Sequence, residues 1–133
     1  MAEKMDYNRE NIAVLRFWIG GFLGNSTEIT IKRNEAGALV HVSLFPYSDE
    51  GNGKDIPISE DKWNNILSEL HDKIRFQEWK KNYENLNVLD GTQWEFTVTY
   101  EDKKKRNYGG SNAYPPRWKE FCKLFQVYAG IKT

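Results

Sequence analysis

The stretch TQWEFTVTY, residues 92–100, constrains the fold more than any other. Trp94, Phe96, Val98 and Tyr100 alternate with Gln93, Glu95, Thr97 and Thr99, and a period of two places the first set on one face of a β-strand and the second on the other. A strand that is apolar on one side and polar on the other needs a sheet packed on one face and wet on the other. That is the habit of antiparallel sheets; parallel strands, covered on both faces, read as continuous apolar runs.

The rest of the chain supplies neighbours for such a strand. The run Ile12 to Ile19, bounded by Gly20 and Gly21, is rich in Val, Phe, Trp and Ile and fits a buried strand. In STEITIKRNEAGALVHVSLF, Thr27, Ile29 and Ile31 face one way and Glu28, Thr30 and Lys32 the other, RNEAG supplies a turn, and Leu39 to Phe45 returns as the second arm of a hairpin. DIPIS supports only a short edge strand, because Pro57 lacks a ladder donor. Ser59 then reads as an N-cap with Glu60 and Asp61 in the first turn, and Trp63, Ile66, Leu67, Leu70 and Ile74 recur at helical spacing, a stripe that Phe76 and Trp79 extend. KKNYENLNVLDG breaks the pattern before the 92–100 strand. EDKKKRNY turns into a sixth strand around Lys105 to Gly109, and Trp118, Phe121, Cys122, Phe125 and Tyr128 or Ala129 mark a second helix, started by Pro115 and Pro116 and ended near Gly130. Strands, helix, hairpin, helix in that order predict an α+β domain, a mostly antiparallel sheet of about five or six strands with two helices packed on one face. At 133 residues the chain suits a single domain, 1–133, with an ordered core over about 11–130.

Charge narrows the partners. Lys plus Arg equals Asp plus Glu at 19 each, so no net field draws nucleic acid or an anionic membrane from a distance, and any attraction is local. The start MAEKMDYNRE is acidic and polar, unlike a secretory leader, and no apolar run nears the ~20 residues of a membrane span, so a cytoplasmic chain is expected.

The segment NYGGSNAYPPRW, 107–118, raises the question of a glycine-rich ligand loop. A phosphate loop needs Lys and Ser or Thr at the start of the following helix; here Gly109, Gly110 and Ser111 lead into Asn112, Ala113, Tyr114 and two prolines, each of which removes a backbone donor. The segment therefore reads as an architectural joint. KKKR, Lys103, Lys104, Lys105 and Arg106, is the one local cationic cluster, and with Tyr108, Tyr114 and Trp118 nearby it offers the cations and stacking surfaces that single-stranded nucleic acid binders use. A hairpin tip crowded with lysine also protects an edge from pairing, the blander reading. His41, His71 and Cys122 lack ligand spacing, Cys122 falls in an apolar helical stripe, and Asp90, Glu95 and Asp102 form no pair that sequence establishes. No catalytic residue, metal ligand or cofactor is assigned. Aromatics in surface segments remain: Tyr47 with Asp49 and Glu50 in the acidic loop PYSDEGNGKD, Tyr83, and Tyr108, Asn112 and Tyr114 in the joint.

NVLDGTQWEFTVTYEDKKKRNYGGSNAYP followed by an aromatic helix resembles a group of small bacterial α+β domains in which a segment like LDGTQW opens a strand and a GSNAYP element precedes a closing helix. The resemblance runs over roughly residues 12–128, with its specific part at Asn87 to Pro115; it implies the fold and transfers no activity or site. EDKKKR departs from the group's usual polar turn and makes this hairpin unusually basic. The sequence thus points to a non-catalytic protein-binding or inhibitory module of bacterial or phage origin. The alternatives are a nucleic-acid binder using 103–106, such as a phage inhibitor of a nucleic-acid-guided defence system, and a small-ligand or carbohydrate-binding domain with a Trp- and Tyr-lined pocket between sheet and helices.

Overall fold

The alternation of the 92–100 strand continues sideways through its neighbours and organises one sheet of seven strands. A computed structural model describes residues 9–21, 26–45, 54–85 and 91–129. Its strands are β1 (Ile12–Gly21), β2 (Ser26–Asn34), β3 (Gly37–Phe45), β4 (Lys54–Ser59), β5 (Asn82–Glu84), β6 (Thr92–Tyr100) and β7 (Lys105–Ser111), with helices α1 (Glu60–Ser68) and α2 (Trp118–Ala129). The sheet order is β4-β3-β2-β1-β6-β7-β5. Every pairing is antiparallel except that of β5 with β7, which is parallel.

Register explains the core. Leu15 and Phe17 on β1 lie beside Val98 and Phe96 on β6 and beside Ile31 and Ile29 on β2, and the row continues to Val40 and Val42 on β3. All of these are buried in one cluster with Trp63, Ile66 and Leu67 of α1 and Phe121, Phe125 and Ala129 of α2. The intervening residues face away: Arg16 pairs across the open face with Glu28 on one side and Glu95 on the other, and Thr30, Thr97, His41 and Asn107 share that face. These exposed ion pairs fix little energy individually. Their place on the solvent side is what the alternation demands.

Three expectations are corrected. The sheet has seven strands rather than five or six, because Asn82–Glu84, inside the segment taken to break all pattern, pairs with Gly109–Ser111 of β7. Three residues are too few to show a period, and only the tertiary partner makes them a strand. The first helical stripe is not one continuous helix: Ser59 caps α1 as expected, its side chain accepting from Lys62 N–H at 3.2 Å, but after Ser68 the chain widens into a π-helical turn (Glu69–Ile74), reverses at Arg75 with φ 59° and makes a 3-10 turn at Phe76–Glu78. The reversal delivers Phe76 and Trp79 into the core beside Phe96. Third, α2 begins at Trp118, beyond the proline pair, after Arg117 takes φ 66°.

The glycines of β7 also have a different purpose from bending the strand. Gly109 and Gly110 lie within it. A Cβ on Gly110 would stand 2.5 Å from Trp94 Nε1 and 2.7 Å from the Ala113 carbonyl oxygen, so the bare position lets the Trp94 indole lie across β7. Gly110→Ala is therefore expected to lower stability by about 1–3 kcal/mol through overpacking, while Gly109→Ala, whose Cβ comes no closer than 3.2 Å, loses less. Urea unfolding of both variants measures the difference.

Candidate functional site

The joint between β7 and α2 is built from the inside out. Tyr108, opposite Phe96 in the β6–β7 ladder, points into the core at 5% exposure, with its ring 6.0 Å from Phe76, 5.8 Å from Trp79 and 6.2 Å from Phe96. The residue placed by sequence among the surface aromatics is thus mostly packing. Asn112 follows in a left-handed conformation, φ 58°, which Asn tolerates better than most residues. It closes a two-way clasp on β6: its N–H donates to the Thr92 carbonyl at 2.8 Å, and its Oδ1 accepts from Thr92 N–H at 2.9 Å. The next residue is held as well, since Trp94 Nε1–H donates to the Ala113 carbonyl at 2.9 Å. Pro115 is buried, and Phe121 N–H donates to the Arg117 carbonyl at 3.0 Å to open α2.

Tyr114 sits between these fixed points and points outward, 42% exposed. Its ring lies 5.0 Å from half-buried Trp118, which lies 4.8 Å from Trp94, which in turn lies 6.2 Å from Tyr83 on β5. The result is an aromatic ledge at one end of the sheet with Tyr114 at its exposed lip. Of the three joint residues singled out by sequence, one is core, one is a clasp and one is displayed.

The basic hairpin divides in a similar way. Lys103 has φ 74° in a turn closed by Lys103 N–H to the Tyr100 carbonyl at 2.8 Å and Tyr100 N–H to the Lys104 carbonyl at 2.9 Å, with the Asp102 carboxylate accepting from Lys104 N–H. Lys103, Lys104 and Lys105 are exposed, but Arg106 turns inward and donates to the Tyr108 hydroxyl at 3.1 Å and to the Gln77 carbonyl at 3.4 Å. The four cations therefore do not form one patch. Arg106 and Lys105 instead share a cleft with Gln77, Trp79 and Lys81, of which the sequence placed Trp79 in a helical stripe and Lys81 in a pattern break. The even spacing of Arg106 and Tyr108 on one strand face was the available hint; Lys81 carried none.

Tyr47, Asp49, Glu50 and Asp90 lie outside the described residues. His41 pairs with Asp55 at 2.5 Å on the open face of the sheet, His71 with its neighbour Asp72 at 3.3 Å, and Cys122 lies on α2, so these three are not brought together. Among the described residues no group of three or more His, Cys, Asp and Glu side chains is placed to hold a metal ion. No helix among them is long and apolar enough to cross a membrane. The Trp and Tyr side chains between sheet and helices pack on one another, as in the Trp79 contacts with Trp94 and Tyr108. Comparison with family models, with curated proteins and with solved structures returns no significant match.

Burial pushes the Cys122 thiol up from 9.0 to about 12, which leaves almost no thiolate at neutral pH. Alkylation of the folded protein by iodoacetamide at pH 8 is expected to be at least ~100-fold slower than that of the urea-unfolded chain. Because the folded value is the higher one, the unfolded chain releases this proton first. The thiol's contribution to stability is thus present below about pH 9 and is lost as pH rises toward 12, a decline that Cys122→Ala should lessen in pH-dependent unfolding.

Proposed function

We propose that this chain is a non-catalytic protein-binding module that acts by contact, of the adaptor or inhibitor kind, and that Tyr114 is the centre of its contact surface. The reading rests on one observation: a large, exposed aromatic side chain whose backbone is clasped on one side by Asn112 and Ala113 and followed on the other by a buried proline. A contiguous apolar surface is more informative than a single exposed side chain, and the Tyr114 ring continues into half-buried Trp118 at 5.0 Å. Tyrosine is enriched in interfaces because it brings area, a hydroxyl and few rotatable bonds, and holding it in place before binding reduces the ordering cost of association. Arg117 and Glu120 beside it, exposed and 3.9 Å apart, provide a polar rim of the kind that surrounds such anchors.

Truncation of an anchor of this type typically costs about 2 kcal/mol or more of binding free energy, roughly a thirtyfold loss of affinity. Tyr114→Ala should leave the unfolding temperature of the isolated protein within about 2 °C of the parent, since the ring is surface-exposed. A stoichiometric partner recovered from the host with the parent protein should be lost with Tyr114→Ala and retained with Tyr114→Phe. Equal recovery with Tyr114→Ala would remove Tyr114 from the contact surface.

A nucleic-acid reading keeps one supporting observation, the convergence of Lys81, Lys105 and Arg106 on a single cleft. On that reading, single-stranded oligonucleotide binding would weaken steeply between low and physiological salt, and replacing Lys81, Lys105 and Arg106 by Ser would abolish the mobility shift.

A further inference from the structure

Trp18 is the one tryptophan of five that takes no part in the core. Trp63, Trp79 and Trp94 are buried in the cluster and Trp118 packs against it, whereas Trp18, two residues past Arg16 on β1, shares the open face of the sheet with Arg16 and is half-buried there. Side chains normally stand up from a sheet. This one lies down: a Cβ on Gly20 would meet Trp18 Cζ2 at 2.7 Å and Cη2 at 3.0 Å, so the six-membered ring lies over the bare glycine next along the same face. Covering Gly20, which is buried, accounts for the inner face of the indole. The outer face has no such account, since Trp18 makes no ring contact and no side-chain hydrogen bond with a described residue.

The rim of the ring is polar. Glu28 on β2 and Glu95 on β6 are the cross-strand partners of Trp18, so their side chains flank it on the same face. Arg16 bridges the two: its Nε–H donates to Glu28 Oε2 and its Nη1–H to Glu95 Oε1 at 3.2 Å. One oxygen of each carboxylate is left without a described partner, and the Glu95 side chain is 59% exposed. Gln93, opposite Gly20 on β6, is exposed and its amide makes no hydrogen bond with a described residue. Two carboxylates and one guanidinium leave a single net negative charge beside the indole, which repels the phosphate of a nucleotide stacked there. A cationic ligand would have to displace Arg16 from the carboxylates it already bridges. The ligand that fits is therefore neutral, apolar on one flat side and rich in hydroxyl groups around its edge.

We propose that the Trp18 platform binds a pyranose ring of a neutral saccharide. The C–H face of the sugar stacks on the outer face of the indole and buries apolar area on both, its rim hydroxyls donate to the open oxygens of Glu28 and Glu95, and the Gln93 amide bonds a further hydroxyl. Hydroxyl donation to a carboxylate belongs to the stronger, charge-assisted class of hydrogen bond. None of these residues belongs to the Tyr114 ledge, so this inference stands or falls separately from the protein-binding reading.

Titration of the ¹⁵N-labelled protein with maltohexaose, cellohexaose, xylohexaose and chitohexaose, followed at the Trp18 indole N–H resonance, tests it, with oligothymidylate as the charged comparison. At least one of the four saccharides should move that resonance saturably, with a dissociation constant on the order of 1 mM or tighter, and oligothymidylate should not. Trp18→Ala should abolish the binding and Trp18→Tyr, which keeps a ring, should retain it. Gln93→Ala, at an exposed position whose side chain holds nothing in the fold, should weaken it roughly tenfold, so the test does not depend on how well Trp18→Ala folds. Tyr114→Ala should leave it unchanged. A resonance that stays in place with all four saccharides, one that moves with oligothymidylate instead, or saccharide binding indifferent to both Trp18→Ala and Gln93→Ala would overturn the proposal.

Discussion

The contact on which the rest of the structure depends is the packing of the Phe96 ring at the centre of β6. Phe96 is fully buried and meets Phe76, Trp79, Tyr108, Phe121 and Phe125, with ring centroids between 4.8 Å and 6.2 Å. Each such pair contributes about 0.5–1.5 kcal/mol beyond area burial. Their value here is also geometric: the five rings come from the turn after α1, from β7 and from α2, so one side chain ties three separate segments to the sheet. Phe17, its neighbour on β1, adds contacts to Trp118, Phe121 and Phe125, and α2 is held across two strands whose pairing joins segments about 80 residues apart in the chain.

The outward-facing features follow from that packing. With Phe96 occupied by α2 and the 76–79 turn, Trp94, one step along the same face, lies over the end of β7, where Gly110 offers no side chain to obstruct it. From there its indole holds the Ala113 carbonyl, Asn112 grips Thr92, and the chain has no freedom left but to display Tyr114 over Trp118. The same reversal at Arg75 that brings Trp79 into the ring cluster carries Lys81 to the edge of β7, beside Lys105 and Arg106. Core packing thus determines both surfaces, the ledge and the cleft.

Periodicity made much of this legible. The two-residue alternation of β6 and of the β2–β3 hairpin, the Ser59 cap and the stripes of both helices are local signals, and the α+β class, the largely antiparallel sheet and the two helices follow from them. What local signals could not carry was anything created by a distant partner. β5 is a strand only because Gly109–Ser111 lies beside it, and the Arg75 reversal shows its effect only in the contacts that Phe76 and Trp79 make with Phe96. The joint shows the limit most plainly. Tyr108, Asn112 and Tyr114 look alike as polar aromatics and amides in a glycine-rich segment, yet register against Phe96, a left-handed backbone and the Trp94 indole give them three different places.

The central claim is that residues 107–118 form a clamped platform, not a mobile loop, and backbone ¹⁵N relaxation of the free protein measures it directly. Order parameters of about 0.85 from Asn112 to Tyr114, matching those of β6, are the predicted result. Values below about 0.6 over the same residues, with β6 remaining rigid, would contradict it.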